Sequence, residues 1–429
     1  MNKKYRIRVI VAIIVGVLAV LAFLGIAYPV RIFDIQLGAL VQRVFIDFSI
    51  VALALLLFAL VMTFLFGRLY CSTLCPFGLL QEVACTFKKK NAGKQKNLPV
   101  KYVVAAASFG MLAGGTAYYY RLVEPYTYFG ALFTLGGLVA VLAAVVVIIT
   151  VFKDRVFCTN FCPVGAVLGV ISKFSPNKIY IEKDACVLCS KCEKICQAGA
   201  IDFKAKAIDN EMCVKCLKCL NGVCPTKAIK YGCNCKKEKN AAAFNPKRRD
   251  IMLAVGAIAL FGGAARAGRL VKNSVSERLS DVILPPGAMS EARLLNTCLN
   301  CNICVKVCPS RIIKKATREF RAVHIDFSKD YCRFNCHRCA NACPAGAIKR
   351  MPLAQKQILR IAMIMPPTEL FDGFEKCVEA CPWDALQIRD GRPVFLPTLC
   401  IGCGACVIAS GGRIKIFGAS EQRLVGVWG

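Results

Sequence analysis

The stretch Cys186-Val-Leu-Cys189-Ser-Lys-Cys192-Glu-Lys-Ile-Cys196 is answered further on by Cys213-Val-Lys-Cys216-Leu-Lys-Cys219-Leu-Asn-Gly-Val-Cys224-Pro225. Each copy is C-x2-C-x2-C plus a fourth cysteine, three intervening residues on in the first copy and four in the second. Four thiolates hold an iron–sulfur cluster. In this spacing a tight loop offers three sulfurs to one cubane while the fourth reaches its neighbour. The predicted sets are Cys186, Cys189, Cys192, Cys224 and Cys213, Cys216, Cys219, Cys196. Structural zinc is the competing reading, but zinc usually takes two close pairs rather than three evenly spaced cysteines and a distant fourth.

The rest of the composition narrows the chemistry. Twenty-eight cysteines in 429 residues sit in tight runs, as metal thiolates do and disulfide scaffolds do not. The length suits two or three domains. There are two histidines, His324 and His337, neither in an apolar segment, and no C-x-x-C-H, so the expectation is no haem. A formal charge of +31 raises nucleic-acid binding. The lysines and arginines, however, gather beside apolar segments, where the excess of cytoplasmic positive charge explains them; no nucleic-acid partner is expected.

Residues 9–30, 44–67, 102–119 and 131–152 are apolar and are read as four membrane spans, a hydrocarbon core of about 30 Å needing about 20 helical residues. A signal peptide is the alternative for the first, weakened by its length and by the lack of a clear cleavage site. The N-terminus, the 68–101 loop and the residues after Phe152 are basic, whereas the other loops carry only Arg31, Arg43 and Arg121, so both ends of the unit are expected in the cytoplasm. Two cysteine pairs follow the returning spans: Cys71-Ser-Thr-Leu-Cys75-Pro76-Phe77-Gly78 and Cys158-Thr-Asn-Phe-Cys162-Pro163-Val164-Gly165. This internal repeat predicts that Cys71, Cys75, Cys158 and Cys162 share one further iron–sulfur cluster at the membrane face. Spacing does not tell a four-iron from a two-iron centre. Cys85 reads as an inert thiol, and Cys233 and Cys235 as free more readily than as ligands.

Beyond the ferredoxin unit, 175–240, lies Pro246-Lys247-Arg248-Arg249 and a weakly apolar run to about Ala265. Paired arginines before a short apolar segment resemble a twin-arginine export signal; a fifth helix at 246–270 is the alternative. The last domain, 285–429, holds thirteen cysteines. One run is Cys298, Cys301, Cys304, Cys308, and a second, one residue longer at its start, is Cys332, Cys336, Cys339, Cys343. The third keeps Cys377 and Cys381 with Phe374 in a cysteine's place. The fourth has Cys400, Cys403, Cys406 with Ser410 in the last slot. Pairing runs one with two and three with four gives three complete sets: Cys298, Cys301, Cys304, Cys343; Cys332, Cys336, Cys339, Cys308; and Cys400, Cys403, Cys406, Cys381. Pairing one with four and two with three gives two, so the first is preferred. Cys332-x3-Cys336-His337 is a near miss for haem attachment.

The expected fold is thus a membrane α-helical bundle, residues 1–174, with two small α+β ferredoxin-like domains. About five [4Fe-4S] clusters belong to the latter. Residues 1–240 resemble the NapH-type membrane ferredoxins, and the NosR group in their membrane core, though without a flavin domain. Residues 246–410 resemble the NapG/MauM-type exported polyferredoxins; the broken third run departs from that pattern. The resemblance implies a multi-pass protein of the bacterial inner membrane, with 175–240 cytoplasmic and 285–429 periplasmic. It implies an electron-transfer subunit and component of a quinol dehydrogenase, relaying electrons between the quinone pool or cytoplasmic ferredoxin and a periplasmic reductase or cytochrome. No residue reads as a catalytic acid, base or nucleophile, so no stand-alone catalysis is expected. The alternatives are a redox maturation factor for another metalloenzyme and a polyferredoxin subunit of an ion-pumping complex.

Overall fold

The computed structural model describes residues 3–24, 36–47, 49–87, 93–113, 120–134, 137–233, 282–315, 322–365 and 367–424. The 246–270 segment and Cys235 lie outside them. The chain divides into two compact units, residues 1–21 with 31–266, and residues 22–30 with 267–429.

In the first unit, α1 (Lys3–Phe23), α2 (Leu37–Asp47), α3 (Ile50–Phe66), α4 (Tyr70–Thr73) and α5 (Pro76–Ala84) are followed by a second series. That series is α6 (Val100–Ala113), α7 (Pro125–Thr134), α8 (Gly137–Lys153), α9 (Val156–Asn160) and α10 (Pro163–Lys173). The two series repeat one plan: a long helix, a short helix, a returning apolar helix, one turn carrying the first cysteine, and a helix begun at Cys-Pro. The copies interlock, since α5 packs on α7 and α8, and α10 on α3 as well as on α6 of its own series.

Among the described residues one helix, α1, is long and apolar enough to cross a bilayer; α3, the apolar part of α6 and α8 are shorter. The expected span 44–67 is divided at Ser49, whose hydroxyl caps α3 by accepting from the Ala52 N–H (3.4 Å). The expected 131–152 likewise belongs to two helices, α7 and α8. An apolar run records burial in lipid or protein, not the continuity of the helix, so hydropathy overran the cap at Ser49.

After α10 the chain forms β1 (Asn177–Ile181), α11 (Lys191–Ile195), β2 (Ile201–Asp202), β3 (Ala207–Ile208) and β4 (Ile229–Cys233). β1 pairs antiparallel with β4, Ile179 facing Tyr231, and β2 with β3. Ile179, Ile181, Ile201, Leu217 and Ile229 form the core between the cysteine runs.

The second unit contains α12 (Glu291–Thr297), α13 (Ile303–Val307), β5 (Ile313–Lys314), β6 (His324–Ile325), α14 (Arg338–Ala342) and α15 (Leu353–Gln357). β7 (Leu359–Ile364), α16 (Phe374–Glu379), β8 (Leu386–Arg389), β9 (Arg392–Phe395), α17 (Ala405–Ala409) and β10 (Ile416–Leu424) complete it. β5 pairs with β6, β8 with β9, and β10 with β7, all antiparallel. Gln422 of β10 ties the sheet to the start of the domain, accepting from Gly287 N (2.8 Å) and donating to Pro285 O (2.9 Å).

Candidate iron–sulfur centres

In four of the runs the residues on either side of the second cysteine take positive φ. They are Leu188 and Ser190 about Cys189, Lys215 and Leu217 about Cys216, Asn300 and Asn302 about Cys301, and Gly402 and Gly404 about Cys403. Left-handed backbone is costly for residues with a Cβ. Six such residues in matching places record a shape the loop is made to adopt. Alternating hand curls successive N–H groups inward into a concavity suited to an anion such as an iron–sulfur core.

The concavities gather the cysteines as follows. Cys186, Cys189, Cys192 and Cys224 line one hollow, and Cys196, Cys213, Cys216 and Cys219 a second. In the other unit, Cys298, Cys301, Cys304 and Cys343 line one, and Cys381, Cys400, Cys403 and Cys406 another. Cys308, Cys332, Cys336 and Cys339 stand within charge range of one another. Backbone N–H groups point at the sulfurs that precede proline: Ala228 to Cys224 (3.3 Å), Ala385 to Cys381 (3.3 Å) and Ile348 to Cys343 (3.4 Å). Ala200 N–H does the same at Cys196 (3.4 Å). Burial and neighbouring thiolates push the Cys196 and Cys403 thiols up to about 12. Without a positive core these sulfurs would stay protonated.

The remaining positions of the third and fourth runs hold packing instead. Phe374 and Cys377 are buried with Leu386, Cys406 and Ile414, and the Phe371 ring meets Phe374 edge-on at 5.4 Å. Ser410 closes α17, its hydroxyl donating to Val407 O (2.9 Å) and accepting from Ile414 N (3.1 Å). Cys332 N–H donates to Cys403 O (2.9 Å), so the second and third sets of this unit adjoin.

The cysteines of the two Cys-Pro repeats form the most enclosed of the four-thiol sets. Cys71, Cys75, Cys158 and Cys162 are all buried, and Cys71, Cys158 and Cys162 each bear electrostatically on Cys75. In both repeats the second cysteine is the N-cap of a helix with proline at its first position, and its sulfur accepts an N–H three residues on: Gly78 to Cys75 (3.4 Å) and Gly165 to Cys162 (3.3 Å). A Cβ on Gly78 would stand 2.3 Å from Cys71 O, and one on Gly165 2.6 Å from Cys158 O, which explains the glycine at that place. Phe77, Tyr128 and Phe157 pack ring on ring between the repeats at 5.3–5.7 Å. Burial, then the neighbouring thiolates, raise the Cys75 and Cys162 thiols far above their ordinary range and Cys158 to about 12. Among the described residues no three Cys, His, Asp or Glu side chains are close enough to grip one metal ion. Four buried thiols that feel one another's charge suit a multi-iron core, which supplies the positive charge that lets four buried thiolates coexist.

Two residues that sequence reading counted only as loop charges complete the repeat. Arg68 and Arg155 stand three places before Cys71 and Cys158, and both are fully buried. The Arg155 Nη2 pairs with Glu82 Oε2 (2.8 Å), a carboxylate shared with Arg8 and with Lys218 Nζ (3.4 Å). Burial pushes Glu82 upward, but Arg8 and Arg155 outweigh it and hold the group at about 2. Arg68 donates to Glu211 O (2.9 Å) and Cys158 O (2.8 Å), and lies 3.9 Å from Cys71 Sγ. Extending the repeat frame to R-x2-C-x3-C-P-x-G would have found both. Read by charge alone they pass for loop residues that orient the spans. Cys85 is buried, its thiol 4.0 Å from Thr150 O. Cys233, expected free, is disulfide-bonded.

The four-thiol site and the ferredoxin unit meet directly. Ser72 Oγ lies 3.3 Å from Lys215 O, between Cys213 and Cys216, and Arg68 reaches Glu211 O just before the same run.

Comparison with known proteins agrees with this architecture. Residues 48–93 and 135–182 match the 4Fe-4S binding domain family, and 297–347 the 4Fe-4S dicluster domain family. The two matches of the first kind fall on the two cysteine-proline repeats. The chain carries 4Fe-4S ferredoxin-type domains. It is similar to the putative electron transport protein YccM of Escherichia coli, 28% identical over 257 residues covering 56% of this chain and 71% of that one. It is also similar to the methylamine utilization ferredoxin-type protein MauN of Methylorubrum extorquens (28% over 137 residues, 30% of this chain and 47% of MauN). A third relative is the regulatory protein NosR of Pseudomonas aeruginosa (28% over 172 residues, 36% of this chain and 24% of NosR). No solved structure matches the chain. These likenesses support iron–sulfur electron transfer.

Proposed function

We propose that this chain is a membrane-bound relay that passes electrons between the quinone pool or a cytoplasmic ferredoxin and a periplasmic reductase, in the manner of a NapH-type and a NapG-type protein joined end to end. The observation that carries the reading is the junction at Ser72, Arg68 and Lys215, where four buried thiols abut the second thiol set of the ferredoxin unit. Six four-thiol sites in one chain, with no acid, base or nucleophile assigned to any of them, suit electron passage rather than substrate conversion. The clusters, when bound, carry the charge; the protein fixes their spacing and surroundings.

The multi-pass placement rests on the exposed apolar side chains of the helices. Ile50, Leu57, Phe58 and Phe64 on α3, and Val141 and Ile148 on α8, face outward, as lipid-facing residues do. In this reading 175–240 is cytoplasmic and 285–429 periplasmic. The named regulatory relative favours a second reading, a redox maturation or regulatory factor.

The test replaces Cys71 or Cys162 by Ser in the full chain. Electron flow across a sealed membrane should be abolished while the ferredoxin clusters keep their spectroscopic signals. Unchanged flow defeats the relay. A reporter joined at Gly429 and active only outside the cytoplasm tests the topology; its silence, with a cytoplasmic reporter active at the same place, would put both cluster modules on one side.

A further inference from the structure

Arg68 is a buried cation without an acidic partner in view. Among the described residues its guanidinium touches two carbonyls and the Cys71 sulfur and forms no ion pair with a carboxylate. Its counterpart Arg155 is compensated by Glu82. Burying a guanidinium is expensive unless an opposite charge stands close, so the two equivalent arginines are neutralised differently. Among the described residues, the negative groups that bear most on Arg68 are the thiols of the four-cysteine site, Cys71, Cys158 and Cys162. A second observation agrees. Gln81 is fully buried beside Cys158, and its Nε2 has no hydrogen-bond partner while its Oε1 faces the sulfur at 3.2 Å. Turned over about its last bond, the amide would donate to Cys158, and the orphaned donor would be satisfied, if the sulfur were a thiolate. Both groups fit a site whose resting charge is negative.

We propose that Arg68 is the positioning and potential-setting residue of the four-cysteine centre, its fixed positive charge favouring the reduced form and its three contacts clamping Cys71, Cys158 and the Glu211 carbonyl into one assembly. The inference rests on the reading above that these cysteines hold an iron–sulfur centre. No bond forms or breaks and no proton moves, because a guanidinium stays charged at any accessible pH. The effect is on the energy at which the centre accepts one electron. Reduction adds negative charge, so a nearby cation raises the reduction potential and its removal lowers it.

The test is a potentiometric titration of the full-length chain in detergent, reduced by dithionite with mediators and followed by electron paramagnetic resonance. The Cys71→Ser variant identifies the signal that belongs to the four-cysteine centre; if that variant loses neither signal nor iron, the reading of the site fails, whatever Arg68 does. Given such a signal, Arg68→Gln should lower its midpoint and leave the ferredoxin midpoints in place, and Arg68→Lys should hold it near the parental value. Loss of the signal in Arg68→Gln with its retention in Arg68→Lys, the ferredoxin signals persisting in both, also supports the charge role. An unmoved midpoint in Arg68→Gln overturns the proposal. So does equal displacement or loss in the Gln and Lys variants, which would mark Arg68 as a structural fork alone.

Discussion

Glu82 binds the two repeats and the ferredoxin unit through one carboxylate, and its replacement by Gln offers a quantitative test of that architecture. Arg8 reaches it from α1, Arg155 from the turn before α9, and Lys218 from the second cysteine run. Arg8 and Arg155 are almost wholly buried, so water does not replace the lost charge. Moving the group from 4.5 to about 2 in the fold corresponds to on the order of 3 kcal/mol, at about 1.4 kcal/mol for each tenfold change in proton affinity. Breaking a buried ion pair by deleting one partner costs a similar 3–5 kcal/mol or so. For a unit of this size that is a fall in melting temperature of roughly 6–20 °C. The assay is loss of cluster absorbance on heating, compared between the parent chain and Glu82→Gln near neutral pH. The sign with pH is fixed. A carboxylate held below its unfolded value stabilises the fold above about 4.5, and that contribution is lost as the pH falls from there toward 2. The gap between the two proteins should therefore close in strong acid. A variant melting within about 1 kcal/mol of the parent at neutral pH would refute the shared-carboxylate account.

Gly78→Ala sets a Cβ against the Cys71 carbonyl, which is backbone and yields only if the loop moves; a cost of about 1–3 kcal/mol and loss of the Cys71-dependent signal should follow, checked by melting and paramagnetic resonance. Phe374→Ala removes a ring that is 2% exposed, and urea unfolding of the C-terminal unit should show about 3–5 kcal/mol lost with no gain of iron. Glu124 is buried and, despite hydrogen bonds from Thr127 N (2.5 Å) and Oγ1 (2.9 Å), burial raises it to about 7. Its contribution is full below about 4.5 and lost as pH rises through 7, on the order of 3 kcal/mol. Glu124→Gln should flatten the stability profile across that interval, and a profile parallel to the parent's would show that the carboxyl is not buried as described.

The cysteine sets were legible because cluster geometry imposes local spacing: a run such as Cys298, Cys301, Cys304 closes within seven residues, and proline marks where the fourth sulfur leaves. Pairing runs across the last domain was harder, since either partner satisfies the spacing; the contact between Cys332 N–H and Cys403 O is set by packing that no single run encodes. Helix boundaries in the apolar part were misjudged for a related reason. Ser49 breaks 44–67 through a cap, a signal far weaker than the surrounding hydropathy. Arg68 and Arg155 were read only as loop charges and their burial was missed, because charge next to an apolar run is ambiguous between solvent and interior until neighbours are known.

The filled position around Phe374, Cys377 and Ile414 gives the C-terminal unit a blind end. With centres seated in its three thiol sets, the one held by Cys381, Cys400, Cys403 and Cys406 is the last of the three, and behind it stands hydrocarbon rather than a fourth thiol set. Such a plug insulates. On the relay reading, exchange with a partner at this set would run sideways, at the edge where Leu399 is exposed.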